Sequence, residues 1–213
     1  MSGETMISVF LGIGLAASAG FRVFVPLFAL SLASYAGLWD LNENWQWMGS
    51  LSAVIIMGVA TLAEVFGYFI PWFDNLLDSV SIPLAALAGT AVMVSTLTGM
   101  DPVITWTLAI IAGGGTATAI KGAAAGTRLT STVTTGGVAN PAVSAVETAA
   151  ATTISVASVL VPVLAAVLVI VVLAVVFRIY RKLRPRRRSS QKSDKRTCFE
   201  RVSLIAVFGR PWQ

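Results

Sequence analysis

Charge is nearly absent from the first 177 residues of this 213-residue chain, and its absence limits what the chain can fold into. Only three basic residues lie there, Arg22, Lys121 and Arg128, whereas twelve of the fifteen basic residues follow Phe177. Charged residues make up 12% of the whole chain, and 56% of its residues are hydrophobic. Soluble domains carry roughly 25% charged residues, so the composition predicts a membrane protein with a basic C-terminal tail.

Apolar segments that could cross a bilayer as helices, which takes about 20 residues, recur through this region. We expect five to six such segments, at 6–36, 49–70, 82–99, 102–120, 142–158 and 159–177. The first is too long for one straight crossing and contains Gly20 and Pro26, so it should be broken or kinked. The fold class predicted is therefore all-α, a polytopic transmembrane helical protein with broken or re-entrant helices.

The second half of the chain is more polar. The stretch 121–137 is too small and polar for an ordinary lipid-facing helix. The segment 142–158 should be packed inside the protein, and it could either span the membrane or be re-entrant. Asp101-Pro102 and Asn140-Pro141 both read as a helix cap followed by proline at the first helical position.

The basic tail, 178–213, indicates the orientation. Lys and Arg directly after a membrane span are retained in the cytoplasm, so we expect a multi-pass protein of the cell membrane with a cytoplasmic C-terminus. Six crossings would also place the N-terminus inside, and a re-entrant 142–158 would move it outside. The tail is low in complexity, so it should be largely disordered and should contact anionic lipids.

Short motifs recur in the same order in the two halves of the chain. Gly-x-Arg ends at Arg22 and again at Arg128, a glutamate follows at Glu64 and Glu147, and Ser-Val-x-aliphatic-Pro begins near Ser79 and again at Ser158. This order predicts a transmembrane domain, 1–177, made of two repeats at about 7–99 and 102–176. With three segments in each unit, the second copy would be inverted, which places a site near the membrane midplane.

Arg22 lies in an otherwise apolar run, where a guanidinium costs roughly 3 kcal/mol or more to insert. One interpretation is structural, in which the side chain binds carbonyls of a broken helix or pairs with Glu64 or Glu147. The other is functional, in which Arg22 and Arg128, each beside a small-residue break, bind an anion near helix N-termini.

Further polar residues complete the candidate site. Carboxylates within the membrane are candidates for proton relays or ion ligands. We assign proton or ion coupling to Glu64, Glu147, Asp74 and Asp78, and substrate binding to Arg22, Arg128, Asn75 and Asn140. A neutral, hydrogen-bonded acid is the structural alternative for each glutamate.

Several activities have no support in the sequence. The chain has no histidine and one cysteine, which excludes Cys/His zinc sites and Ser-His catalysis. We therefore expect no enzyme activity, no catalytic residue, no metal and no cofactor, and no nucleic-acid partner. The glycine-rich run 112–118 lacks a phosphate-loop ending, so it should serve close helix packing, as should Gly122 and Gly126.

The blocks "GFRVFVPLFALSLA", "AEVFGYFIPWFDNLLDSVSIPLAALAGT" and "KGAAAGTRLTSTVTTGGVANPAVSAVET" resemble the integral-membrane family known as domain of unknown function 4126. The resemblance covers about 7–173 and implies no function. Small size and broken helices also make the chain similar in architecture to DedA-type membrane proteins.

The sequence favours a small transporter, or a translocase of lipid headgroups, for an anionic solute. Protons are the candidate coupling ion. The partners expected are the bilayer and a small anion or phospholipid headgroup, and a homo-oligomer is left open. The alternative is a membrane scaffold or regulatory protein that transports nothing. A polar cavity containing both arginines would favour transport, and a dry core would favour the scaffold.

Overall fold

A computed structural model describes residues 3–68 and 70–183, without the side chains of 71–79 and of several residues after Ala174. The eight α-helices of this part are α1 (Gly3–Phe21), α2 (Phe24–Tyr35), α3 (Leu51–Gly67), α4 (Pro71–Thr96), α5 (Pro102–Leu108), α6 (Gly115–Thr135), α7 (Asn140–Leu160) and α8 (Pro162–Leu183). A 3-10 helix, Glu43–Gly49, precedes α3, and a π-helical segment, Ala109–Gly114, joins α5 to α6. The described residues contain no strand, so the all-α prediction is confirmed.

The number of membrane spans is smaller than predicted. Among the described residues, three helical segments are long and apolar enough to cross a bilayer, Gly3–Phe21, Pro102–Thr135 and Asn140–Leu160. The 3-10 helix and α3, bent by 69°, add a fourth if they count as one span. The prediction of five to six failed because the described apolar helices at the predicted spans 82–99 and 159–177, Val80–Thr96 and Pro162–Ala174, are shorter than 18 residues. The span predicted at 102–120 is present and continues to residue 135 as one helical run of 34 residues.

The break predicted in the first apolar segment lies at Arg22 and Val23, and there the chain turns back on itself. Arg22 contacts Ser144 near the start of α7. Gly14, before the break, lies against Ser158, and Trp39, after α2, donates a hydrogen bond to the Val159 carbonyl. The middle of α1 and the segment after α2 therefore both lie beside the end of α7. Helices α1 and α2 thus form an antiparallel hairpin with Arg22 at its tip.

Helix α1 is the centre of the bundle and packs against α4, α6 and α7. Small residues allow close approach to α7, and Ser18 donates to the Ala151 carbonyl and shares a hydrogen bond with Ser155. Only one face of α7 is buried, while residues such as Val146 are exposed. The prediction that this helix is packed inside the protein is therefore wrong for its outer face. In a membrane, lipid chains would cover that face.

The two cap-proline signals have different outcomes. Asp101 accepts a hydrogen bond from the Val103 N–H and caps α5 as predicted. Asn140 is instead the first residue of α7, and its side-chain amide donates to Thr132 on the preceding helix. Its side chain caps nothing, because the turn before α7 is already helical at Ala139.

Glycine packing joins α4 to the π-helical segment. A Cβ on Gly89 would lie 2.7 Å from the Gly113 carbonyl oxygen, and one on Gly113 would lie 2.5 Å from that of Gly89. The packing role predicted for 112–118 is thus confirmed at Gly113. It is wrong for Gly122 and Gly126, where no described atom outside the local helix backbone lies within 4 Å of an added Cβ.

The recurring motifs do not occupy equivalent positions in the helices. Arg22 lies at a break, whereas Arg128 lies inside the continuous helix α6, so the break expected beside it is absent. Pro83 lies within α4, whereas Pro162 begins α8. The superposition of the two halves as an inverted repeat stays a prediction. Helix α8 reaches Leu183, past the predicted start of the tail, and residues 184–213 lie outside the described part.

Candidate functional site

The tip of the α1–α2 hairpin is held by a carboxylate from α3. Both oxygens of Glu64 accept backbone hydrogen bonds, one from the Val23 N–H at 2.8 Å and one from the Phe24 N–H at 2.9 Å. These N–H groups begin α2 and have no partner within it, so the carboxylate caps the helix and complements its dipole. Glu64 is 5% exposed, which makes the cap part of the interior.

Arg22, at the same tip, is completely buried, as its sequence context predicts. Its Nη2 donates to the carbonyl and the hydroxyl of Ser144 on α7. Neither Glu64 nor Glu147 accepts a hydrogen bond from it, and both attract it only electrostatically. The Nε and Nη1 atoms have no hydrogen-bond partner among the described residues. An arginine has five N–H donors, and three of them belong to these two atoms.

Three cationic side chains lie close to the ring of Tyr68, the residue that follows α3. The Cζ of Arg22 lies 3.8 Å from the ring centroid, the Cζ of Arg128 4.3 Å, and the Nζ of Lys121 5.8 Å. All four side chains are at most 5% exposed. We call Arg22, Lys121, Arg128 and Tyr68 the cation cluster.

Arg128 is paired, unlike Arg22. Its Nη2 lies 2.7 Å from Oε2 of Glu147, and its Nε lies 3.1 Å from Oε1, so two nitrogens meet one carboxylate. The two residues lie on α6 and α7, which a four-residue turn connects. This pairing satisfies a charge that would otherwise cost several kcal/mol to bury.

The cations in the cluster repel one another. Arg128 acts electrostatically against the charge of Arg22. A desolvated cation over an aromatic ring gains about 2 kcal/mol, so the Tyr68 ring offsets part of this repulsion. Glu64 and Glu147 also act on Arg22 across the cluster. An added anion beside Arg22 would gain attraction and supply acceptors to its open donors.

Other predicted site residues are placed differently. Asn140 lies two helical turns before Glu147, its side-chain amide donates to Thr132, and it is not part of the cluster. Asp74, Asn75 and Asp78 belong to the first turns of α4, and their side chains lie outside the described part of the structure. Their binding and coupling roles stay predictions.

Sequence reasoning missed three members of the site. Lys121 is not among the predicted site residues, although its spacing of seven residues from Arg128 places both on one face of α6. Tyr68 and Ser144 carry no signal in the sequence, because an aromatic and a serine are common in membrane helices. Ser144 is separated from Arg22 by 122 positions, so only the fold brings them together.

A cleft of about 400 Å³ lies beside the cluster, between the end of α1 and the helices α6 and α7. Its lining is apolar except for Thr127 and Glu147. The residues that line it are Phe21, Ala124, Thr127, Ala139, Ala142, Val143, Val146 and Glu147. Glu147 therefore belongs both to this cleft and to the ion pair with Arg128. Neither Arg22 nor Arg128 lines the cleft, so it is not the polar cavity containing both arginines that would favour transport over the scaffold.

Comparison with known proteins gives a family and no activity. Residues 9–182 match the family described as Domain of unknown function (DUF4126). The chain belongs to this family. In this DUF4126 protein the match covers all of the cation cluster, the Arg128–Glu147 pair and the cleft. No curated protein and no solved structure matches the chain, and the likeness to DedA-type proteins is not shown.

Proposed function

We propose that this DUF4126 protein is a membrane transporter or translocase that binds an anion at the cation cluster. The observation that carries the proposal is Arg22, which is 0% exposed and has two nitrogens without a hydrogen-bond partner in the described part of the chain. Each buried charged donor without an acceptor costs about 1–3 kcal/mol or more. A purely structural arginine would be expected to have its donors satisfied, so the open donors favour a ligand.

The surroundings of Arg22 support an anion as this ligand. Arg128 and Lys121 share the Tyr68 ring with it, and the N-terminus of α2 begins next to it. Guanidinium groups bind carboxylates and phosphates with charge-assisted hydrogen bonds. Helix N-termini favour negative charge as well, although Glu64 already uses the first two N–H groups.

The Arg128–Glu147 pair is the part of the site that we assign to coupling. If Glu147 takes up a proton, Arg128 loses its anionic partner and becomes available to a substrate anion. Proton uptake and anion binding would then be linked. Glu64 is assigned to holding the hairpin tip, since both of its oxygens already accept backbone hydrogen bonds.

The test is flux through the full-length protein reconstituted in vesicles. Chloride, inorganic phosphate, a small carboxylate and fluorescent phospholipids would be compared with protein-free vesicles. We expect movement of at least one, and a loss of about 10- to 100-fold in Arg22→Gln, the factor that a charged hydrogen bond of about 1.5–3 kcal/mol represents. Arg178→Gln, at an exposed basic residue, is the matched control.

Two results would contradict the proposal. The first is a rate equal to that of empty vesicles for every probe, which would favour the scaffold or regulatory alternative. The second is unchanged flux in a folded Arg22→Gln protein. Thermal unfolding in detergent shows whether that variant is folded, and Arg22→Lys, which keeps the charge but loses the planar fork, supplies a second reading.

A further inference from the structure

The cleft beside the cation cluster suggests which kind of anion the site takes. We infer that the ligand is an anionic phospholipid, with its phosphate at Arg22 and one acyl chain in the cleft between α1, α6 and α7. This inference rests on the proposed function, because it places the same anion at the same arginine. It adds the chemical class of the ligand and the route by which it arrives.

The cleft and the cluster are adjacent along three parts of the chain. Phe21 lines the cleft, and the next residue is Arg22. Val143 lines it, and the next residue is Ser144, which accepts two hydrogen bonds from Arg22. Glu147 lines it and holds Arg128. Glu147 is therefore the side chain shared by the cleft and the cluster. It must move aside when a phosphate reaches Arg22, which does not itself line the cleft.

The apolar lining selects an amphiphile over a hydrated ion. A small anion that entered an apolar cleft would lose its hydration without gaining hydrogen bonds, which is costly. An acyl chain meets no such barrier, because the bilayer and the cleft are about equally apolar. The acyl chain therefore gives the lipid access to the cleft and fixes its position. The arginines supply the binding energy through charge-assisted hydrogen bonds to the phosphate.

Size and charge are consistent with this occupant. The cleft volume of about 400 Å³ falls in the range of roughly 300–1,000 Å³ that small-molecule sites occupy. Ala142 and Val146 at its rim are exposed on the outer face of α7, so the cleft opens to the surroundings of the bundle. The one carboxylate in its wall, Glu147, is paired with Arg128 and would not repel the phosphate as a free anion would.

The experiment measures thermal unfolding of the purified full-length protein in detergent with added ligands. The ligands are phosphatidylglycerol, phosphatidylcholine and glycerol phosphate, which share a phosphate but differ in acyl chains and net charge. At about 100 times the dissociation constant, we expect phosphatidylglycerol to raise the unfolding temperature by roughly 5–10 °C. Phosphatidylcholine should act more weakly, and glycerol phosphate should have little effect.

Two variants locate the effect. Ala142→Trp fills the cleft from its exposed rim and should abolish the rise produced by phosphatidylglycerol. Val156→Trp, at an exposed position of the same helix outside the cleft lining, is the matched control and should leave the rise unchanged. Arg22→Gln should abolish the rise as well, and Arg22→Lys should keep part of it if the glutamine variant does not fold.

The outcomes separate this inference from the proposed function. Suppose that glycerol phosphate raises the unfolding temperature as much as phosphatidylglycerol does, and that Arg22→Gln abolishes this rise but Ala142→Trp does not. The lipid inference is then wrong, and anion binding stands. If Arg22→Gln changes the effect of none of the ligands, both the inference and the proposed function are wrong. If Ala142→Trp turns a stable dimer into a monomer and lipid has no effect, the cleft is an interface between copies, and the lipid inference is again wrong.

Discussion

Arg22 and Arg128 lie on the same tyrosine ring, yet their hydrogen-bonding groups are satisfied to different degrees. Arg128 meets both oxygens of a carboxylate, whereas Arg22 has the carbonyl and hydroxyl of Ser144 and two open nitrogens. The cost of burying a charge is met by local partners, so the two arginines should respond differently to substitution. Loss of Arg128 should mainly affect folding, and loss of Arg22 should mainly affect ligand binding.

Breaking the Arg128–Glu147 pair should destabilise the protein strongly. We expect Glu147→Gln and Arg128→Gln each to lower the free energy of unfolding by about 3–5 kcal/mol, because each leaves a buried charge without its main partner. The double variant should lose less than the two single losses combined, since it leaves neither charge behind. Chemical unfolding in detergent measures all three, and strictly additive losses would mean that the pair is not coupled.

The Glu64 cap gives a second prediction at a single residue. Glu64→Gln keeps the shape of the side chain, but it replaces one acceptor oxygen with an amide donor that faces a backbone N–H. We expect the free energy of unfolding to fall by about 1–3 kcal/mol. The comparison variant is Glu43→Gln, an exposed glutamate in the 3-10 helix, which should change stability by less than about 0.5 kcal/mol. Equal stability of the two variants would contradict the prediction that the Glu64 cap stabilises the fold.

At the scale of elements, the antiparallel hairpin of α1 and α2 explains how a charged residue comes to lie in the interior. The chain reverses within two residues, Arg22 and Val23, so its tip would expose unpaired backbone groups without Glu64. Beyond the tip, α6 continues from Arg128 to Thr135, about 10 Å at the usual helical rise. The α6–α7 hairpin thus extends past the cation cluster and encloses the cleft on one side.

Glycine contacts between elements give the third prediction. Gly89→Ala and Gly113→Ala should each destabilise the protein by about 1–3 kcal/mol, because the new Cβ would meet a backbone carbonyl that cannot move aside easily. Gly122→Ala, in α6, should be neutral or stabilising by up to about 1 kcal/mol, since an added Cβ meets no described atom and alanine favours a helix. Unfolding measured on the same day in one detergent compares the three, and equal losses would refute the packing assignment.

At the scale of the whole molecule, the helices of this DUF4126 protein are compatible with a multi-pass membrane protein. Apolar side chains are widely exposed on its surface, among them Val59 and Phe66 of α3 and Ile111 in the π-helical segment. In water such a surface would drive aggregation, whereas lipid chains cover it at little cost. The cation cluster is therefore a charged island in an interior that is otherwise largely apolar, inside a bundle whose exterior is apolar as well.

Orientation gives the fourth prediction. The twelve basic residues after Phe177 should hold the C-terminus in the cytoplasm. A reporter fused after Gln213 that is active only in the cytoplasm should therefore be active, and one that needs the external compartment should be silent. The opposite pattern would reverse the orientation. The same pair of reporters fused in the 37–42 connection between α2 and the 3-10 helix would then show how many crossings separate the two points.

Several features follow from the sequence alone because they depend on local physical chemistry. The scarcity of charge predicts a membrane protein, Gly20 and Pro26 bracket the break, and Asp101 before proline predicts a cap that is present. The burial of Arg22 and Arg128 was also predictable, since the sequence around each is apolar or small. Each of these properties depends on neighbouring residues only, through the free energy of transfer from water, the allowed backbone conformations or a hydrogen bond within one helical turn.

The pairing of the buried charges was decided by the tertiary structure. Glu64 caps a helix, Glu147 pairs with Arg128, and Arg22 contacts Ser144, although the sequence allowed either glutamate to pair with Arg22. The reversal at Arg22 and Val23 determines which groups come within hydrogen-bonding distance, and it depends on contacts between residues far apart in the chain. A local sequence shows that a buried charge needs acceptors, but hydrogen bonds act only over about 3 Å, so the fold chooses among them.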